Sequence, residues 1–173
     1  MKNVPICGII PPILTPMFAD ESINEPELRR QVNRLIEAGV HGIFPFGTNG
    51  ESYALTSEEK DRVLSAVIEE TRGRVPVYAG TGCVTTAETV RMSRRAQELG
   101  ADVLSGIEPW FAAATQEELY RHYMTVADAV DLPIVLYDIP ARTGNPLTPE
   151  TVARLAKDAP PHLRGQGLQR QFR

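Results

Sequence analysis

The stretch Leu132-Pro133-Ile134-Val135-Leu136-Tyr137-Asp138-Ile139-Pro140-Ala141-Arg142-Thr143-Gly144 decides how the rest of the chain is read. Its apolar residues Leu132, Ile134, Val135 and Leu136 do not alternate with polar ones. That fits a strand covered on both faces, as in a parallel sheet under helices, ended by the proline and glycine that follow. Tyr137 then sits where the strand stops. In a (β/α) barrel the loops leaving that edge converge on one pocket, and Arg142 can reach it from the loop. The guanidinium fork matches the two oxygens of a carboxylate, so phenol and guanidinium side by side point to proton transfer near a carboxylate. The same residues also fit a core tyrosine followed by a turn with a solvated arginine.

Outward from this stretch the chain alternates apolar runs with capped helices. Gly8–Thr15 fits a first strand made irregular by Pro11 and Pro12. Asn24-x-x-Glu27 is an Asn variant of the capping box, opening a helix with Leu28, Val32, Leu35 and Ile36 on one stripe and Gly39 at its end. Gly42–Phe46 reads as strand two and runs into the loop Gly47-Thr48-Asn49-Gly50-Glu51. A helix follows from Thr56 with Glu59 three residues on, then a third strand over Val75–Gly80. Thr85-x-x-Glu88 caps a helix ending at Gly100, and Ala101–Ile107 is a weaker fourth strand followed by a loop with Pro109-Trp110-Phe111. Thr115-x-x-Glu118 opens a fourth helix, the Tyr137 strand is fifth, and Thr148-Pro149 opens a fifth helix through Val152 and Leu155.

The period of roughly 25 to 35 residues is that of parallel sheets with crossover helices. A doubly wound nucleotide fold is the competitor, but no Gly-x-Gly-x-x-Gly follows the first strand and there is no Walker lysine loop. About five βα units are present, whereas a closed barrel needs eight and about 250 residues.

Length and composition bound the function. The chain has 173 residues, 42% hydrophobic and 23% charged, with a formal net charge of −4 that gives no reason to expect a nucleic-acid partner. No apolar run approaches the roughly 20 residues needed to span a membrane and no signal-peptide pattern opens the chain, so a cytoplasmic location is the expectation. Cys7 and Cys83 lack CxxC spacing, and His41, His122 and His162 are scattered, so neither a disulfide nor a metal is expected.

Three motifs in order, Gly47-Thr48-Asn49-Gly50-Glu51 after strand two, Pro109-Trp110-Phe111 after strand four and Tyr137-Asp138-Ile139-Pro140-Ala141-Arg142-Thr143-Gly144 after strand five, resemble the dihydrodipicolinate synthase and N-acetylneuraminate lyase family. The resemblance runs from about Gly8 to Asp158. It implies an α/β fold of the (β/α)8 TIM-barrel type, here incomplete, and usually a homotetramer. It implies a lyase that makes or breaks a carbon–carbon bond through a pyruvate Schiff base on a lysine, with an aldehyde as second substrate and no separate cofactor. By the same resemblance Thr48 and Asn49 hold the pyruvate carboxylate, Thr48 also passes protons, Tyr137 is the proton donor and acceptor, and Arg142 binds a carboxylate of the second substrate. A protonated imine is an electron sink that lets the pyruvate methyl lose a proton, which accords with those roles. Two positions depart from the synthase pattern. Phe111 stands where a second aromatic hydroxyl is usual and cannot relay a proton, which points to a different aldehyde partner. Asp138 stands where asparagine is usual, either as a carboxylate beside the site or as a solvated turn residue.

A Schiff-base enzyme also needs an amine in an apolar pocket. The chain has only Lys2, Lys60 and Lys157, all read as surface residues and none at a strand end. The family's lysine lies in strand six, just after the fifth helix. There this chain has a tail, residues 160–173, with three of its 18 basic residues, none of its 22 acidic ones and no strand pattern. Gln166–Arg173 can be encoded as CAA GGA CTC CAG CGG CAA TTT CGA. Read one base later, this gives Lys-Asp-Ser-Ser-Gly-Asn-Phe, which resembles the family's segment around its lysine. Residues 1–158 are therefore expected to be the N-terminal part of a barrel and 159–173 an aberrant basic tail arising from a frameshift near Gly165. Such a chain would be inactive for want of its nucleophile. The alternative is a non-catalytic half barrel that binds a small keto acid or associates with a full-length relative; a metal-dependent aldolase ranks behind both. Open edges on the first and fifth strands predict association or poor solubility.

Overall fold

The structure is a computed structural model that describes residues 6–160 and the backbone of Gln169 and Arg170. Helices form where capping signals open apolar stripes. They are α1 (Glu25–Glu37), α2 (Ser57–Thr71), α3 (Thr86–Leu99), α4 (Gln116–Ala127), the single turn α5 (Pro140–Thr143) and α6 (Pro149–Asp158). Thr56 and Thr115 make reciprocal capping boxes with Glu59 and Glu118, each glutamate accepting the cap residue's N–H, at 2.8 and 2.7 Å. At Asn24 and Thr85 only half of the expected box forms. Each cap accepts the N–H three residues on, while Glu27 pairs with Arg30 and Glu88 with Arg91. At Asn24 the cap's own N–H donates instead to Pro16 O at 2.8 Å.

The regular strands are β1 (Tyr78–Gly80), β2 (Val103–Ile107), β3 (Ile134–Tyr137) and β4 (Gln169–Arg170), all parallel and adjacent in that order. The weaker fourth strand of the sequence reading is the longest of them. The first two expected strands appear as single bridges, Pro12 to Phe44 and Ile43 to Val77. Pro11, Pro12 and Pro45 lack the N–H that a continuous ladder requires, although Ile13 N–H still donates to Phe44 O at 3.0 Å and Tyr78 N–H to Ile43 O at 2.8 Å. Each piece thus lies beside the one preceding it in sequence, without the reversal of order that defines a doubly wound sheet. This is barrel topology, incomplete in the described residues.

Two expectations about the chain's end are corrected. Gln169 and Arg170 pair in register with Val135 and Leu136, so the tail does contribute a strand and the fifth expected strand is not an open edge. An unpaired parallel edge accepts any extended backbone, whatever its side-chain pattern. Apart from these two residues and Ala159–Pro160, the frameshift reading of 159–173 lies outside the described residues, as does Lys2.

The main core lies between the sheet and α1–α4, where Leu28, Val32, Val67 and Leu104 are at most 1% exposed. Among the described residues no helix is long and apolar enough to cross a membrane, and no group of three metal-ligating side chains occurs.

Candidate active site

At the C-terminal ends of the sheet pieces the chain leaves a cleft of about 560 Å³ lined by Thr48, Asn49, Ser105, Trp110, Tyr137 and Arg142 among others. Gly80 makes the close packing at its floor. A Cβ there would stand 2.4 Å from the carbonyl oxygen of Phe46, so only glycine lets β1 lie against that segment.

The Gly47–Glu51 loop closes into a 3-10 turn over Thr48–Gly50, with Gly50 N–H donating to Gly47 O at 3.0 Å. The turn presents a half-buried Thr48 and an exposed Asn49. Across the cleft, the Tyr137 hydroxyl at the end of β3 lies 3.4 Å from Thr48 Oγ1, near enough for either to donate. The ring of Phe44 meets the ring of Tyr137 edge-on, with centroids 6.2 Å apart, and fixes its orientation. Arg142 reaches the same cleft, but from the single turn α5 rather than from a loop. Pro140 opens α5 and Gly144, at φ 73°, ends it. Tyr137 is half-buried rather than a core residue and Arg142 is exposed, and both line the same cleft.

Trp110 faces the cleft whereas Phe111, at φ 79° and 98% exposed, points away from it. Asp138 is not a solvated turn residue: it is half-buried and accepts the Leu147 N–H at 3.3 Å, closing the segment that carries Arg142. Lys60 lies on α2 and Lys157 on α6, and neither lines the cleft.

Two buried groups escaped the sequence reading. Ser105, on β2, lines the cleft with a buried hydroxyl that has no hydrogen-bond partner. Glu108, just past β2, is fully buried; its Oε2 accepts the Ile139 N–H at 3.4 Å and its Oε1 has no partner. Burial, with Asp138 beside it, pushes Glu108 up to about 8. The one sequence signal was a carboxylate at the end of an apolar strand run.

The strand order, with a cleft at the strand ends, is that of an incomplete barrel. A profile of the dihydrodipicolinate synthetase family matches residues 5–163. The chain belongs to the dihydrodipicolinate synthetase family. It is 45% identical over 152 residues to 4-hydroxy-tetrahydrodipicolinate synthase of Methanopyrus kandleri, covering 87% of this chain and 51% of that one. With the same enzyme of Syntrophus aciditrophicus the identity is 49% over 150 residues, again 87% and 51%. Among solved structures, a chloride-inhibited dihydrodipicolinate synthase from Acinetobacter baumannii in complex with pyruvate superposes with a TM-score of 0.88 at 39% identity, over 90% of this chain and 53% of that one. A prophage protein of the same family from E. coli K12, also in complex with pyruvate, gives 0.86 at 39% identity, over 89% and 52%. The family fold is therefore a TIM barrel, and this chain spans about half the length of the curated relatives it matches.

Proposed function

We propose that the cleft takes a 2-keto acid such as pyruvate, with its carboxylate held by the Thr48 hydroxyl and the Asn49 amide. Tyr137, in contact with Thr48, donates and accepts the proton that moves next to the keto carbon. Arg142, exposed on the rim, takes a carboxylate on the second, aldehyde-bearing substrate. In the family these groups serve a carbon–carbon lyase working through a Schiff base. Of the lysines in the described residues neither lines the cleft, so the 173-residue chain is read as binding the keto acid without condensing with it. The observation that carries this reading is the convergence of two hydroxyls and a guanidinium, drawn from two strand ends, on one cleft.

Calorimetry with pyruvate tests it. The wild-type chain should bind, and Thr48→Ala should lose a hydrogen bond to a charged group, about 1.5–3 kcal/mol or on the order of ten- to a hundredfold in Kd. No binding by the wild type overturns the assignment. Borohydride with isotopically labelled pyruvate should leave no covalent adduct, and an adduct would overturn the reading that a nucleophilic amine is lacking.

A second reading, a non-catalytic half barrel that associates with a full-length relative or with copies of itself, is favoured by the sheet's ends. Among the described residues the Pro12 segment and β4 each pair on one side only. The family tetramer and a cytoplasmic location belong with these proposals. So does the frameshift near Gly165, which sequencing of the gene through that codon tests: the absence of a lysine codon in the shifted frame would remove it.

A further inference from the structure

Glu108 is 0% exposed and sits where β2 ends, beneath the segment that follows β3. One of its oxygens accepts the N–H of Ile139, the residue that caps α5; the other has no partner. The groups that face it are the Asp138 carboxyl, from the segment after β3, and Tyr123, from α4, whose hydroxyl donates to Gly106 O at 3.2 Å. Among the described residues none of these is a cation. Two carboxyls against each other, one of them fully buried, are not both readily ionised, because burial and mutual repulsion each disfavour the second charge. The same segment is held by Asp138, which accepts from Leu147, and by Asn145, whose amide donates to Pro109 O at 2.8 Å and Ala112 O at 2.9 Å. Tyr137 directly precedes this braced segment and Arg142 lies within it.

We propose that Glu108 and Asp138 share one proton and act as a positioning pair that sets Tyr137 and Arg142 against the cleft. The pair touches no substrate. It acts through the backbone of residues 138–147, and its relevance to binding rests on the function proposed above. When the shared proton is lost, two negative charges are forced together at the start of α5 and the segment loosens, carrying Arg142 away from Thr48 and Tyr137.

The test is made on the full 173-residue chain. The side-chain carboxyl carbon of Glu108, assigned by triple-resonance NMR, should be protonated at neutral pH and titrate near pH 8. In Asp138→Asn, which removes the neighbouring charge and supplies a donor, the midpoint should fall by about a unit, a tenfold change in proton affinity. Above the wild-type midpoint, exchange of the Ile139 and Leu147 amides should be about tenfold faster than in Glu108→Gln at the same pH, because glutamine keeps the shape and cannot ionise. Pyruvate affinity should weaken over the same range in the wild type alone. A Glu108 ionised at neutral pH, or a midpoint unmoved by Asp138→Asn, overturns the shared proton, and the wild-type titration decides this even if a variant does not fold. Equal amide exchange in wild type and Glu108→Gln overturns the positioning role. A chain that shows the titration and the exchange but binds no pyruvate leaves the pair standing and removes the proposed function instead.

Discussion

Thr48 and Tyr137 are 89 residues apart in sequence, yet their hydroxyl oxygens stand 3.4 Å apart. Their meeting was legible because each follows an apolar run that ends abruptly, and strand ends of a barrel share one rim. Tyr137→Phe should leave the edge-on contact with Phe44 intact, and urea unfolding should register a loss of no more than about 1.5 kcal/mol, the scale of one hydrogen bond. Glu108 and Ser105 were not legible, because a single carboxylate or hydroxyl in an apolar run carries no sign of what surrounds it. His122 belongs with them. Its Nδ1 lies 2.9 Å from Thr86 Oγ1, its Nε2 has no partner, and burial lowers its pKa to about 4. In the unfolded chain the imidazole takes a proton near 6.5, so between about 6.5 and 4 the unfolded state binds more protons and stability falls as pH falls. Urea titrations at pH 7 and 4.5 should show a smaller acid loss in His122→Gln than in the wild type.

The helices were the most legible elements, since a capping residue and an apolar stripe agree at α2 and α4, and at α3 a cap and a terminal glycine agree, Gly100 taking φ 101°. Thr115→Ala should cost about 0.5–2 kcal/mol by chemical denaturation, the usual value of an N-cap. The sheet was less legible. Prolines break the ladder at Pro12 and Pro45 although the backbone path is that of strands, and β4 pairs through main-chain groups that no side-chain pattern announces. The single turn α5 was read as loop because four residues are too few for periodicity to show. Gly80→Ala should destabilise by about 1–3 kcal/mol by the same measurement, as its methyl would collide with the Phe46 backbone, which has no side-chain freedom with which to yield.

At the scale of the molecule, the buried acid and the buried imidazole act in opposite directions. Glu108 is held neutral to about pH 8, whereas an exposed glutamate in the unfolded chain loses its proton near 4.5. Between those values the folded state binds more protons and stability falls as pH rises. Glu108→Gln should therefore gain stability on the wild type as pH is raised from 5 to 9, read as the difference between their melting temperatures. A parallel α/β sheet was legible from the repeat and its incompleteness from the count of about five βα units, but the barrel itself only through the three motifs, because a repeat alone does not distinguish a barrel from a doubly wound sheet. The sheet's one-sided ends predict concentration-dependent association in sedimentation velocity; a single monomeric species at all concentrations would contradict the second functional reading.

The order in which the sheet pieces lie side by side has a consequence for biogenesis. Every strand's neighbour is the one synthesised just before it, so a chain leaving the ribosome can dock each new segment on an existing surface without waiting for distant sequence. The cleft is different: its phenol emerges long after its threonine, so the rim is assembled last, on a scaffold already folded.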